Sequence, residues 1–434
     1  MNSPQDSIGD FRIIRTGGGL EVFLLPTKKL KTRLIRLHFQ APLDGRAGAR
    51  ALVPNILRRG TEGLPGMLEI SRQLEEWYGA SCGASIYKIA DRHVLAFRAE
   101  YVEERFLPGS PTIEAPFLRF YKEMMLRPRL IEGCFLQDFF EQERLNHKRE
   151  IQAQYNDKLR YASQRLVEEM FPGQAYGRPV LGTVEEIDHL SAASATQAWR
   201  DFRGENARLY AVGDFAANDL LEFASGLPFL SRGPSLLRQC EKPVSVDHPR
   251  LVVEPDDVSQ TKLLMGYRVD LTGIDLRAYD ALRYCANVLG GGFHSRLFQT
   301  VREKNGLAYY ASASLDRLQG VLIVSCGIDA AERVRVCDLV EQEIRSLRSA
   351  LPSIEEFEQA RQLLTSGTRS LVDSPHSMVE AVEGVVASGF PRSLEEMVDS
   401  LKSMRREDVA EVACRIGPLD TVYCLEGRSL HGST

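Results

Sequence analysis

The sequence predicts an α+β protein of two homologous domains, each a mixed, mostly antiparallel sheet with helices packed on it. Three observations carry this. The chain has 434 residues, beyond the size at which a single hydrophobic core keeps growing, so two domains of roughly 200 residues each are expected. Its second half repeats the order of the first at an offset of about 230 residues. Strands outnumber the single helices between them and come at hairpin-like spacings, which favours antiparallel or mixed sheets with helices on one face over a doubly wound parallel sheet.

The repeat aligns TRLIRLHF from Thr32 with TKLLMGYR from Thr261, and Ala49–Leu57 with Ala281–Leu289. It also aligns Gly79 with Gly306, and Val94-Leu95 with Val321-Leu322. Each match alone is weak, but several at nearly one offset read as duplication. The expected division is therefore 1–230, a linker at 231–246 that overlaps the Pro- and Gly-containing stretch from about 226 to 245, and 247–434.

In chain order, FRIIR, three glycines and LEVFLL make a hairpin over 11–25, and 32–40 a further strand closed by the Pro42-Leu43-Asp44-Gly45 turn. Helices follow at 48–59 and 68–78, each ended by glycine, then strands at 81–88 and 92–100. Segment 117–126 and the run 133–170 read as helix, the latter a charged face over a buried stripe. Strand returns at 208–213.

A hydrophobic fraction of 44% with 26% charged residues is ordinary for a globular protein, and a net charge of -5 gives no reason to expect nucleic acid or a membrane surface as partner. Eight cysteines without a CxxC pair favour reduced thiols over a disulfide framework or a zinc ribbon. The start, MNSPQDSIGDF, has neither a basic nor an apolar targeting region, and no run approaches a membrane span, so the cytoplasm is the expected address.

The stretch Ala281–Tyr310 organises the chemistry. An apolar helix runs into Gly290, Gly291 and Gly292. A second helix follows, with Ser295 as N-cap and Leu297, Phe298 and Val301 on one face, and Asn305-Gly306 stops it. Arg302 in the last turn and Tyr309 at the start of the next strand could aim a guanidinium and a phenol at one carbonyl. The alternative is that Arg302 offsets its own helix dipole and Tyr309 is half-buried strand. The triple glycine can cradle an anion on backbone N–H groups. It fits neither the Walker pattern nor the dinucleotide pattern.

GGGFHSRLFQTVREKNGLAYYASAS at 290–314 resembles the second-domain signature of the M16 peptidases, the pitrilysin and mitochondrial-processing-peptidase family. RRGTEG at 58–63, YGAS at 78–81 and AVGDF at 211–215 support the likeness. It spans nearly the whole chain and implies a duplicated fold of the LuxS-metallohydrolase-like kind. Catalytic members carry His-x-x-Glu-His on the first helix, where two His hold zinc and the Glu activates its water. Here that motif falls on 51–55, and the three required positions are Ala51, Pro54 and Asn55. The chain is therefore expected to hold no metal, to need no cofactor and to have no catalytic residue of its own. Glu143-Arg144 and Glu150 match the family's later ERxxxxxE pattern and read as a surviving helix face, with His147 between them a solvated residue. No His spacing offers a second site.

In active relatives an Arg and a Tyr seven residues apart bond to substrate near the scissile carbonyl. Arg302 and Tyr309 match them, and Gly290, Gly291 and Gly292 match a loop that lines the substrate cavity. The resemblance implies a non-catalytic, short bacterial member of the YfmF type, a likeness carried by RHVLAFRAEYVEE and DKLRYASQR. Its implied partners are a zinc-bearing homologue in a heterodimer and a peptide or small-protein substrate. The alternative is a scaffold or peptide-binding protein in a peptide or protein maturation pathway.

Overall fold

The computed structural model describes residues 7–109, 111–232 and 248–427. It divides into two compact units. The first comprises Met1–Ala153, Arg178–Leu236 and Leu371–Ser393; the second comprises Gln154–Gly177, Leu237–Ser370 and Leu394–Thr434. Each unit thus takes one segment from the other half of the sequence, a departure from a single cut at 231–246. Most of the expected linker, 233–246, lies outside the described residues.

Strand periodicity explains the first unit. Along Thr32–Pro42, Ile35, Leu37 and Phe39 enter the main core, while Leu34, Arg36 and His38 alternate onto the opposite face. The seven-stranded sheet runs Ser7–Ile8, Phe11–Arg15, Glu21–Pro26, Asn206–Gly213, Thr32–Pro42, Arg92–Val102, Ser81–Ile89. The second unit's five strands run Arg250–Asp256, Ile416–Gly427, Thr261–Val269, Val321–Ile328, Ala308–Asp316. Leaving out the first two strands, the sheets share one topology. Glu21–Pro26 lies parallel to Asn206–Gly213, as Arg250–Asp256 does to Ile416–Gly427, and every other pairing is antiparallel. Thr32–Pro42 and Thr261–Val269, which carry the first aligned segments, are both the middle strand of the shared five. The helices Ala47–Leu57 and Leu276–Gly290 follow them in sequence in the same way.

The expectation of helices on one face needs correction. In the first unit, Val379, Val382 and Val386 of helix Pro375–Ser388 pack on Phe23, Leu34, Tyr210 and Val212, on the face opposite the main core. In the second, Ala162, Leu166 and Met170 of helix Lys158–Met170 pack on Leu264, Tyr423 and Leu425. The physical reason is that both sheets present apolar residues on both faces, and each face must be covered. A buried polar latch holds the first of these helices: His38 Nδ1 donates to Glu383 Oε1 at 2.9 Å and Tyr87 Oη donates to Glu383 Oε2 at 2.7 Å. Burial opposes the charge on Glu383, but His38 and Tyr87 outweigh it and hold the carboxyl below its ordinary range.

The run 133–170 is two helices, Gln137–Gln154 and Lys158–Met170, because Asp157 caps the second by accepting from Arg160 N–H at 3.1 Å. The seven described cysteines are free, three of them buried.

Acid stability follows from His93, which is fully buried. Burial and the neighbouring Arg50 guanidinium push its imidazole down to about 4 from 6.5. Between these values the unfolded chain binds a proton that the folded chain refuses. Stability is therefore full above pH 6.5 and falls as pH drops toward 4, by about 3 kcal/mol in all. Urea denaturation across this window should show that loss in the parent and a flatter profile in His93→Gln.

Candidate functional site

The site is built where the helix Leu276–Gly290 meets the edge strand Ala308–Asp316. Asp275 caps the helix start by accepting from Ala278 N–H at 2.8 Å, and Gly291 N–H donates to Asn287 O at 2.8 Å at its end. A Cβ on Gly290 would stand 2.1 Å from Ala313 N, so only glycine lets the helix come this close to the strand. The chain then turns outward: Gly291, Gly292, Phe293 and His294 are exposed.

Ser295 occupies the expected start of the second helix, but its side chain does not cap it. Its Oγ donates back to Gly292 O at 2.6 Å and so closes the turn. The helix that follows is a π-helix over Phe298–Lys304. Leu297 and Val301 are fully buried, whereas Phe298 is only half-buried and carries Phe293 edge-on at 5.2 Å. Arg296 bonds Glu356 at 2.9 and 3.1 Å, and Thr300 Oγ1 donates to Glu343 Oε1 at 2.7 Å, fixing the π-helix to its neighbours.

As the sequence predicts, Gly306 ends this helix in the left-handed region, at φ +62. Gly306 N–H donates to Arg302 O at 2.9 Å, and Leu307 N–H reaches back to Val301 O at 3.0 Å. These bonds, with Asn305 Nδ2 to Thr300 O at 2.7 Å, satisfy the terminal carbonyls. The Arg302 side chain is thus not needed as a cap. It lies 4.6 Å over the Phe298 ring, with Glu303 Oε1 at 3.8 Å, and is 41% exposed.

Tyr309 is not half-buried strand: it is 72% exposed. Ala308 pairs with Ile328 and Tyr310 with Gly327, so Tyr309 is the extra residue of a β-bulge. Bulges re-aim side chains. The periodicity of the sequence could not have shown either this bulge or the π-helix. Exposed Phe293, at 71%, is a residue of this surface that the sequence reading passed over. Its only sequence signal was a large apolar residue directly after three glycines.

The first-unit helix Ala47–Leu57 tells the opposite story. Ala51 and Pro54 are buried and Asn55 half-buried. Arg50, only 2% exposed, donates to Pro42 O at 2.8 Å and Asp44 Oδ1 at 2.9 Å. Burial opposes the Asp44 charge, yet the bonds from Arg46 and Arg50 hold its carboxyl down at about 2. Glu143 is nearly buried and forms an ion pair with Arg59, so its charge is already spent. His147 is corrected: it is fully buried, not solvated, and its Nε2 donates to Leu181 O at 2.9 Å. Its Nδ1 lies 3.7 Å from Glu150, a residue that is itself 55% exposed. Among the described residues, no group of three or more His, Cys, Asp or Glu is placed to hold a metal.

Residues 196–364 match the family described as Peptidase M16 inactive domain. Over 414 residues the chain is 28% identical to the probable inactive metalloprotease YmfF of Bacillus subtilis, covering 94% of this chain and 96% of that one. The relative found by this likeness is named YmfF, where the sequence alone suggested a YfmF type. The chain is also 23% identical to the uncharacterized zinc protease YmxG of the same bacterium, over 68% of this chain and 73% of that one. A crystal structure of a conserved protein from Enterococcus faecalis superposes with a TM-score of 0.89 at 25% identity, over 98% of this chain and all of that one.

Two outcomes are expected. Gly290→Ala should lower unfolding stability in urea by about 1–3 kcal/mol, since backbone rather than a flexible side chain would have to give. After zinc loading and desalting, elemental analysis should find no stoichiometric zinc in the parent or in Glu150→Ala. Zinc bound by the parent and lost from the variant would contradict the geometry.

Proposed function

The chain belongs to the M16 peptidase family as an inactive homologue, and we propose that it works as the non-catalytic half of a two-chain peptidase. The partner is a zinc-bearing homologue of similar length, and the substrate is a peptide or small protein. The observation that carries this reading is the placement of Arg302 and Tyr309. Both side chains stand exposed on local irregularities, and neither is consumed by capping or core packing. A guanidinium and a phenol held in this way can donate to a carbonyl oxygen as negative charge develops on it. The helix that would supply metal in an active relative supplies Ala51, Pro54 and Asn55, so the chemistry must come from another chain.

Two facts support pairing. Relatives named as inactive metalloprotease and as zinc protease occur together in Bacillus subtilis. The exposed Phe293 and Tyr309 give the Arg302 surface the aromatic character that peptide recognition uses. The exposed turn at Gly291 and Gly292 forms the adjoining wall, while buried Gly290 sets the helix against Ala313 and so aims that turn outward. The same aromatic surface also favours a second reading, peptide binding without chemistry, in a maturation pathway.

Reconstitution separates the two. Mixed with its zinc-bearing partner, the chain should give peptidase activity whose kcat/KM falls roughly 10- to 1,000-fold in Arg302→Ala and by a smaller factor in Tyr309→Phe. Activity unchanged in both variants would sink the catalytic reading. Peptide binding that persists with no activity from any such mixture would leave the second.

A further inference from the structure

We propose that Phe298 is the positioning residue for Arg302, its ring holding the guanidinium in place for a carbonyl oxygen, which rests on the catalytic reading above. The π-helix brings the two side chains together. Phe298 and Arg302 are four positions apart, close to one turn of Phe298–Lys304, and the guanidinium lies 4.6 Å over the Phe298 ring. That is within the roughly 6 Å at which the quadrupole of a ring attracts a cation.

The ring is itself fixed. Phe293 meets it edge-to-face, with centroids 5.2 Å apart and planes at 84°. Gln299 Nε2 donates to Phe293 O at 2.8 Å and Ser295 Oγ to Gly292 O at 2.6 Å, so the exposed turn is tied to the helix that carries Phe298. Leu297 and Val301, both fully buried, anchor the chain before and after it. Exposed Phe293 thereby gains a second role, as the buttress of the ring under Arg302.

An arginine 41% exposed samples many rotamers unless something holds it. Glu303 is a weak restraint: its Oε1 stands 3.8 Å from Arg302 Nε, beyond hydrogen-bond length, and it is 52% exposed, so solvent screens the attraction. The ring differs in kind. It attracts the cation through its face and accepts no conventional hydrogen bond, so it holds the guanidinium without using up the fork of donors. A carboxylate in the same place would take those donors and offset the charge that a developing oxyanion calls on.

Two readouts on the full chain test this. The first needs no partner: the Arg302 Nε–H resonance in proton–nitrogen correlation spectra, identified by its loss in Arg302→Lys. The ring current should shift it upfield in the parent, and Phe298→Leu, which keeps an apolar side chain but no ring, should remove that shift. Phe298→Tyr should keep it, and Glu303→Gln should leave it in place. A signal that Phe298→Leu does not move, or that Glu303→Gln moves instead, overturns the proposal. Phe293→Ala, at an exposed position, should move the same signal by a smaller amount; were Phe298→Leu not to fold, an unmoved signal in Phe293→Ala would overturn it.

The second readout is activity in the mixture with the zinc-bearing homologue. Phe298→Leu should lower kcat roughly 2- to 30-fold with KM nearly unchanged, and Phe298→Tyr should restore it. In an Arg302→Ala background Phe298→Leu should cost nothing more, whereas an equal further loss there marks a merely structural role and overturns the proposal. Activity lost in Arg302→Ala but kept in Phe298→Leu overturns this proposal alone. Activity unchanged in Arg302→Ala overturns the catalytic reading and the positioning role with it.

Discussion

The second unit depends on one close approach, the end of the Leu276–Gly290 helix against the edge strand at Ala313. A side chain at Gly290 would have to displace backbone, and a strand backbone cannot give without losing its ladder. Because helix and strand touch there, the connection cannot pass between them. It is forced outward through Gly291–His294, which is why an otherwise buried segment carries an exposed Phe293. The exit also decides where the next helix starts. Ser295 closes the turn on Gly292 O, and Leu297 and Val301 re-enter the core.

Between that turn and the return to the strand, the chain holds its extra length in two places. The π-helix over Phe298–Lys304 widens the turn that carries Arg302, and the bulge at Tyr309 adds one residue to the strand. Each weakens regular hydrogen bonding, and each turns outward a side chain that a regular element would align differently. Such irregularities gather at functional sites because a regular element has no need of them. Gly306 at φ +62 makes both possible by reversing the chain without steric cost.

Much of this was legible in the sequence, for identifiable reasons. The apolar runs Thr32–Phe39 and Thr261–Arg268, which match each other at the repeat offset, are a local signal, and both segments are central strands. The stop at Gly306 was legible because φ > 0 selects glycine. What failed depended on contacts distant in sequence. His147 looked solvated because its helix is charged, yet the carbonyl of Leu181 gives it a buried partner. The helices Lys158–Met170 and Pro375–Ser388 carry ordinary amphipathic patterns that say nothing of which sheet they cover. The bulge and the π-helix each differ from a regular element by a single residue, below what periodicity resolves.

The duplicate of this helix in the first unit is built for packing. Leu52, Val53, Ile56 and Leu57 still fill the core, so the helix is kept for packing. The polar groups around it have found internal partners instead: Arg50 with Asp44, Arg59 with Glu143, His147 with a carbonyl. Pro54 goes further, since proline inside a helix forfeits a backbone hydrogen bond at a cost of about 3 kcal/mol unless packing offsets it. A helix whose faces had to aim two ligands and a base at one ion would have little tolerance for that distortion. One whose task is to bury four apolar side chains has more. The two helices have the same place in the same topology and differ in what surrounds them: one is enclosed by satisfied pairs, the other ends in an exposed turn that leads to Arg302 and Tyr309.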